Sequence, residues 1–253
     1  MDHKIDIILA TFNDESTIAR SVRSILKQSY SNFNLYIIND GSTDSTLNII
    51  KKFSQVDERV KIFDNKQNFG LPYSLNRGVK LCKSKYIARA DGDDIWMHNK
   101  LEFQINYFMK NPDVKVLGTG AVIIEKNKSK KIKFFRKVIK KRNKGFKILI
   151  NNYLFHSSSM FKSEILRENS YNEKLIRSQD KFLWIQLLDK GIEIHNLQLP
   201  LIIYNFEFKS SFNSILNRFY TDLKLSIKYV SPSAFLFSFV ILFKKYVVKF
   251  TQY

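Results

Sequence analysis

Three aspartates crowd into four positions of the stretch "ADGDD": Asp91, Asp93 and Asp94. Like charges this close repel one another, so their company suggests a cation to share. Hard Mg²⁺ or Mn²⁺ takes oxygen ligands and keeps positions open for phosphate oxygens. Asp91 and Asp93 lie on one side of an extended chain, or flank a tight turn through Gly92. Arg89 is near enough to balance part of the charge. A metal–phosphate site is the functional reading, and a surface turn is the alternative. A further acid, Asp180, stands far downstream in "RSQDKFLW". It opens a helix anchored by Phe182, Leu183, Ile185, Leu187 and Leu188. That placement suits a general base toward a hydroxyl, and equally a helix N-terminal cap. "NDGSTD", residues 39–44, offers turn amides and polar side chains suited to a ribose or base. It is not a GxxxxGK[ST] loop, and no GxGxxG occurs, so ATP hydrolysis and dinucleotide chemistry have little support. No histidine or cysteine cluster has zinc spacing.

The elements that would hold these residues alternate through the first half. "KIDIILATFN" is an apolar run with a polar end. The following segment sets Ile18, Val22, Ile25 and Leu26 at helical spacing. "LYII" and "NDGSTD" repeat the plan, with Thr43, Asp44 or Ser45 placed to cap a helix carrying Leu47, Ile50 and Phe53. "RVKIFDNKQNFG", "LPYSLNRGVKLC" and "KYIARADGDD" supply a third strand, a third helix and a fourth strand. A strand–loop–helix unit about every 30 residues predicts a mostly parallel α/β sheet with crossover helices. In such sheets functional residues gather beyond the carboxyl ends of the strands. "ATFND", "NDGSTD", "DNKQNFG" and "ADGDD" all fall there. Downstream, a helix is expected to stop before Pro112, a strand or strand pair at "VKVLGTGAVIIE", a strand running into a helix at "LFHSSSMFKSEIL", and one or two strands at "IEIHNLQLPLIIYNF".

The chain carries a formal net charge of +19 over 253 residues. Residues 126–147 are rich in Lys and Arg and hold no acid. Such a stretch reads as a solvated, partly mobile surface, a membrane-facing patch or a nucleic-acid face. Residues 233–250 are almost wholly apolar apart from lysines and two serines. Their uncharged part falls short of the roughly 20 residues that span a bilayer. It suits a helix lying in a membrane interface, or one packed on the domain or a second copy. Cys82 is the only cysteine, which excludes an internal disulfide and fits a reducing compartment. The first apolar run, broken by Asp6, is too short for a signal peptide and reads as a buried strand.

Together, "IDIILATFND", "SILKQSYSNFNLYIINDGSTDSTLNII", "NFGLPYSLNRGVKLCKSKYIARADGDD" and "FHSSSMFK…SQDKFLWIQLLDKG" resemble the family 2 glycosyltransferases, over roughly residues 4–205. The resemblance implies an inverting enzyme with the GT-A fold: a Rossmann-like, mostly parallel central sheet flanked by helices. Here it would carry a helical basic and apolar C-terminal extension. Thr11 and Asn13 would line the nucleotide pocket. The family's paired acids of the second loop fall on Asn39 and Asp40, so Asn39 departs from the pattern. Asp91 and Asp93 fall on the Asp-X-Asp motif. Asp93 would be the direct metal ligand, Asp91 would hold ribose or the metal through water, and Asp94 would support the sugar side. Asp180 falls on the aspartate of the family's Glu-Asp pair, the catalytic base, with Gln179 in place of the glutamate. Trp184 matches an aromatic packed below that loop. His156 matches a recurrent histidine that would reach diphosphate or metal, or simply pack.

The implied reaction moves a sugar from a nucleoside diphosphate sugar, most simply a UDP-sugar, to a hydroxyl of a glycan or lipid-linked acceptor in bacterial surface-polysaccharide synthesis. Mn²⁺ or Mg²⁺ is the implied cofactor. Residues 1–110 would bind the nucleotide sugar, 111–208 the acceptor and the base, and 209–253 would form the extension. A cytoplasmic protein held peripherally on the anionic inner face of the plasma membrane is expected, with no nucleic-acid partner. A metal-dependent nucleotidyltransferase and a non-catalytic basic nucleic-acid or lipid-binding module are the rivals. A basic module has no reason to keep Asp40, Asp91, Asp93 and Asp180 at these loop positions.

Overall fold

A computed structural model describes residues 3–125, 130–140, 153–175 and 177–206. The proposed extension at 209–253 therefore lies outside the described residues, as do the ends of the basic stretch. The first half folds as the alternation predicts: β1 (Ile5–Thr11), α1 (Ile18–Leu26), β2 (Phe33–Asn39), α2 (Thr46–Val56), β3 (Val60–Asp64), α3 (Leu71–Leu81) and β4 (Tyr86–Asp91). Then come β5 (Ile95–Trp96), α4 (Lys100–Lys110), β6 (Val116–Glu125), β7 (Lys131–Lys133), β8 (Val138–Ile139), β9 (Met160–Lys162), α5 (Ser163–Glu168), α6 (Gln179–Asp189) and β10 (Ile194–Phe206).

The main path of the sheet runs β3-β2-β1-β4-β9-β6-β10-β5. β1 pairs in parallel with both β2 and β4, and β2 with β3. β9 enters antiparallel between β4 and β6. Two reversals restore the direction, so β6 and its parallel partner β10 run with β1. The long strands thus share one direction, and the antiparallel members are short. Of the strand or strand pair expected at 114–125 the structure shows a single strand, β6, and β10 is one strand with register shifts around Pro200. Pro200 lacks the N–H a ladder needs, which accounts for an irregularity there.

Every residue of β1 is buried, as a central strand covered on both faces requires. Ile7 and Leu9 face α1 and α4, joining Ile18, Val22, Leu101 and Phe108. Ile8 and Ala10 face α3 and α6, joining Leu75, Val79, Leu183 and Trp184. Burying such side chains contributes about 1.5–3 kcal/mol each. At Gly78 of α3 a Cβ would stand 2.6 Å from Ile8 Cγ2, so the helix lies directly on the strand. Asp6, the acid that interrupts the first run, is buried. It accepts the backbone N–H groups of Lys83 (2.7 Å) and Ser84 (2.8 Å), which fixes the approach to β4. Among the described residues no helix is long and apolar enough to cross a membrane.

Candidate active site

Strand register sets the site. Thr11 pairs with Asn39, Asn39 with Asp64, and Ala10 with Asp91. Four loops therefore rise from one carboxyl edge, where open α/β sheets bind ligands. The first loop is stapled to the second. Asn13 is left-handed (φ 54°), a conformation Asn tolerates. Its Oδ1 accepts the Thr43 N–H at 2.8 Å, and its own N–H donates to Ser42 Oγ at 3.0 Å. Asp14 N donates to Thr46 Oγ1 at 2.8 Å, and Thr11 Oγ1 donates to Asp14 Oδ2 at 2.7 Å.

The second loop grips the third. Asp40 accepts Asn65 Nδ2 (2.6 Å), Phe69 N (3.1 Å) and Gly70 N (2.8 Å). At Gly41 (φ 70°) a Cβ would lie 2.7 Å from Gln67 Cα, so only glycine lets the two backbones touch. Asn39 donates to Asp64 Oδ1 at 2.6 Å. Asn39 and Asp40 are both buried. Asp40 thus spends its carboxylate on the third loop, and Asn39 joins the second loop to the end of β3.

The acid loop follows β4. Ligand oxygens of Asp91, Asp93 and Asp94 all lie within 4.8 Å of one another. Helix α1 holds the loop's backbone, with Ser21 Oγ donating to Asp91 O (2.7 Å) and Arg20 Nη2 to Asp93 O (3.2 Å). Gly92 leaves no room for a side chain, because a Cβ would run into the Asp14 carboxylate and stand 3.2 Å from Thr11 Oγ1. Asp14 is thus a fourth acid at the site, and its carboxyl is raised by burial and by Asp91 beyond the pull of the Thr11 hydroxyl. Asp94 is fully buried and accepts the Ser157 hydroxyl. Burial, then repulsion from Asp91 and Asp14, lifts Asp93 to about 6, with Arg89 only partly offsetting it. Asp94 is pushed well above the usual carboxylate range by burial, Asp91 and Asp93. Arg89 lies beneath, 2% exposed, and ion-paired to Asp91.

Asp180 comes to the same crevice from α6. The helix N-cap is Ser178, which leaves Asp180 in the first turn and corrects the capping alternative. Asp180 is half-buried as a residue, and protein atoms crowd its carboxyl. That burial raises it, against the Lys181 N–H and the charges of Arg89 and Lys181. Two phenols link it to the acid loop. Burial raises Tyr171, and Asp180 and Asp91 add to the effect. Burial raises Tyr204 likewise, with Asp91, Asp94, Asp93 and Asp180 all close enough to contribute. Asn76 fixes Tyr171 by exchanging hydrogen bonds with its backbone, each 2.9 Å long.

His156 takes another place. Its Nε2 meets the Tyr171 hydroxyl at 2.8 Å, and its ring stands edge-on to Trp184 at 5.8 Å. Burial, then Arg89, holds it neutral. Among the described residues it is outside the cluster of close ligand atoms, so the metal-ligand reading of His156 gives way to its packing reading. Trp184 is buried and stacks on Phe161.

The residues fit a hard divalent cation. Three carboxylates converge, and burial and acidic neighbours raise those of Asp93 and Asp94, a crowding of negative charge that a divalent cation would offset. Sequence reasoning missed Asp14, Ser157, Tyr171 and Tyr204. Only Asp14 carried a local signal, as an acid in the loop that closes the first strand.

Residues 6–169 match the glycosyl transferase family 2 profile. An uncharacterised glycosyltransferase of Methanocaldococcus jannaschii is 32% identical over 85% of this chain and 74% of its own. An Escherichia coli UDP-Glc:alpha-D-GlcNAc-diphosphoundecaprenol beta-1,3-glucosyltransferase is 30% identical over 88% of this chain and 83% of its own. An O-antigen biosynthesis glycosyltransferase of the same species is 34% identical over 84% and 83%. Among solved structures, Staphylococcus aureus TarS with UDP-GlcNAc superposes with a TM-score of 0.71 at 15% identity, over 95% of this chain and 71% of that one. Against the UDP complex of TarS, this chain spans 65% of the other. A Pyrobaculum calidifontis mannosyltransferase with GDP-Man and Mn²⁺ gives 0.67 at 14% identity, over 96% and 70%. At these identities the structural likeness speaks for the fold.

Proposed function

This chain belongs to glycosyl transferase family 2, and we propose that it moves a sugar from a nucleoside diphosphate sugar, a UDP-sugar first among them, to a hydroxyl of a glycan or lipid-linked acceptor in surface-polysaccharide synthesis. One observation carries the reading. Ligand oxygens of Asp91, Asp93 and Asp94 lie within 4.8 Å of one another at the carboxyl edge of the sheet, and Asp91 and Asp180, far apart in sequence, both act on Tyr171 and Tyr204 of one crevice. The names of the relatives support the acceptor class: one acts on a diphosphoundecaprenol-linked sugar, another in O-antigen synthesis.

Asp93 and Asp91 would hold Mn²⁺ or Mg²⁺, with Asp94 braced behind them by Ser157. When bound, the cation supplies positive charge against the leaving diphosphate. Thr11, Asn13 and the second loop shape the wall that receives the nucleoside, and Asp40 sets the third loop beside it. Arg89 fixes Asp91 and keeps the acid loop from being expelled by its own charge. Asp180 takes the proton from the acceptor hydroxyl as its oxygen attacks the anomeric carbon. Direct displacement inverts that carbon, and the raised carboxyl is a better base than an ordinary aspartate. A lipid-linked acceptor would place the protein on the cytoplasmic face of the membrane.

Calorimetric titration tests the donor site. UDP and UDP-sugars are expected to bind in Mn²⁺ buffer, to weaken sharply with a chelator, and to lose affinity in Asp93→Ala. Equal binding with and without metal, or in the variant, would remove the role given to the acid loop.

A further inference from the structure

Residues 130–140 cross the sheet as a strap. At one end β7 pairs antiparallel with β6, Ile132 opposite Val122. At the other, β8 pairs antiparallel with β10, Val138 opposite His195. Between them the backbone is pinned to β10. Asn196 N donates to Lys137 O at 2.7 Å, Asn196 Nδ2 to Arg136 O at 3.0 Å, and Gln198 Nε2 to Phe135 O at 3.0 Å. This part of the basic stretch is therefore built structure, unlike the solvated, partly mobile surface that its composition allows.

With the backbone turned to the sheet, the charges turn out. Lys130, Lys131, Lys133, Arg136 and Lys137 are exposed. None of the five has a carboxylate at ion-pair distance among the described residues, whereas Lys140 meets Glu193 at 2.8 Å. Apolar groups stand among them. Ile132 is 61% exposed and Phe134 43% exposed, and Leu199 of β10 adds to the patch at 37%. Phe134 lies over Gly120, the position where the sheet has no side chain to lift it. Ordinary solvated basic surface has no use for an open isoleucine and phenylalanine between its lysines. An interface between charged headgroups and acyl chains has a use for both.

The strap also stands beside the site. Phe135 packs on Phe155 at 4.9 Å, and Phe155 on Tyr204 at 5.2 Å. Tyr204 in turn feels Asp91, Asp93, Asp94 and Asp180. One aromatic layer separates the basic apolar face from the acids.

We infer that the strap docks on an anionic phospholipid bilayer. Its cations meet headgroup phosphates, and Ile132 and Phe134 enter the acyl boundary. The use of this docking, presenting a lipid-linked acceptor to the crevice, rests on the transferase reading; the docking itself does not. A nucleic acid would satisfy the cations but not the open apolar pair.

The test uses the full chain and co-sedimentation with vesicles. Wild type is expected to sediment with phosphatidylcholine vesicles containing phosphatidylglycerol and to stay in solution with phosphatidylcholine alone. A Lys131→Gln/Arg136→Gln/Lys137→Gln variant is expected to lose about 100-fold in vesicle affinity, the effect of three charges near such a surface. Ile132→Ser/Phe134→Ser should keep binding at low salt and lose it at high salt, where only the apolar part persists. All these side chains are exposed, and UDP titration in Mn²⁺ should match wild type in both variants, which verifies their fold. Unchanged sedimentation of the triple variant overturns the inference, as do equal binding to neutral vesicles and tighter binding to an oligonucleotide than to anionic vesicles. Loss of UDP binding by wild type would strike the transferase reading and leave the docking result standing.

Discussion

Asp180→Asn is expected to lower kcat by about 10²- to 10⁴-fold, the usual worth of a positioned general base. The amide keeps the shape and hydrogen-bonding reach of the carboxylate but cannot take a proton. UDP affinity should stay near wild type, because Asp180 comes from α6 and the nucleoside wall from the loops after β1, β2 and β3. The pH profile carries a second sign. Burial raises Asp180 above the ordinary aspartate value of 3.8. A base works only when ionised, so wild-type activity should fall as pH drops through that raised value, earlier than a solvent-exposed aspartate would allow. The acid limb should vanish from the residual activity of the variant. A variant within tenfold of wild type, with its acid limb intact, would assign the proton transfer elsewhere.

Arg89→Met should cost the fold about 3–5 kcal/mol, the usual loss when one partner of a buried ion pair is removed. Arg89 is 2% exposed and pairs with Asp91, and its charge acts on Asp93, Asp94, His156, Tyr171 and Asp180. Without it the acid loop keeps its carboxylates and loses their buried counter-charge. Urea unfolding of the metal-free chain reads the loss directly. Asp91→Asn added to Arg89→Met should recover part of it, since the uncompensated partner is then neutral. No recovery would mean that Arg89 stabilises by packing alone. An unshifted midpoint in the single variant would remove the buried-pair account.

What the sequence makes legible follows from range. The alternation of β1 to β4 is local: largely apolar strands, helical spacing of Ile18, Val22 and Ile25, and glycine-bearing turns. The carboxyl-edge rule then places "NDGSTD" and "ADGDD" at one edge of the sheet, on either side of the first loop. Contacts that span about 70 residues leave no such trace. Ser21 and Arg20 bind the backbone of residues 91–93 from a helix whose polar side looks merely solvated, and Gln28, just past that helix, binds the backbone of Met97 and Leu101. Antiparallel β9 between β4 and β6 is three residues long, too short for a period-two signal. His156 illustrates the limit at a single residue. Its type allows a reach to metal or diphosphate and equally a packed ring, and the bond to Tyr171 leaves no trace in the sequence to choose between them. Asp40 carries a structural duty that its type does not announce: it is buried and accepts three N–H groups from the third loop.

The central claim is sugar transfer from a nucleoside diphosphate donor, and turnover is its most direct test. Purified protein would be incubated with Mn²⁺ and a panel of nucleoside diphosphate sugars, with and without bacterial lipid extract, and release of free nucleoside diphosphate followed. Release from one donor, raised by the extract and abolished by chelation and in Asp93→Ala, is the predicted result. No release from any donor, together with no binding of UDP or of any donor in the same buffer, would contradict it.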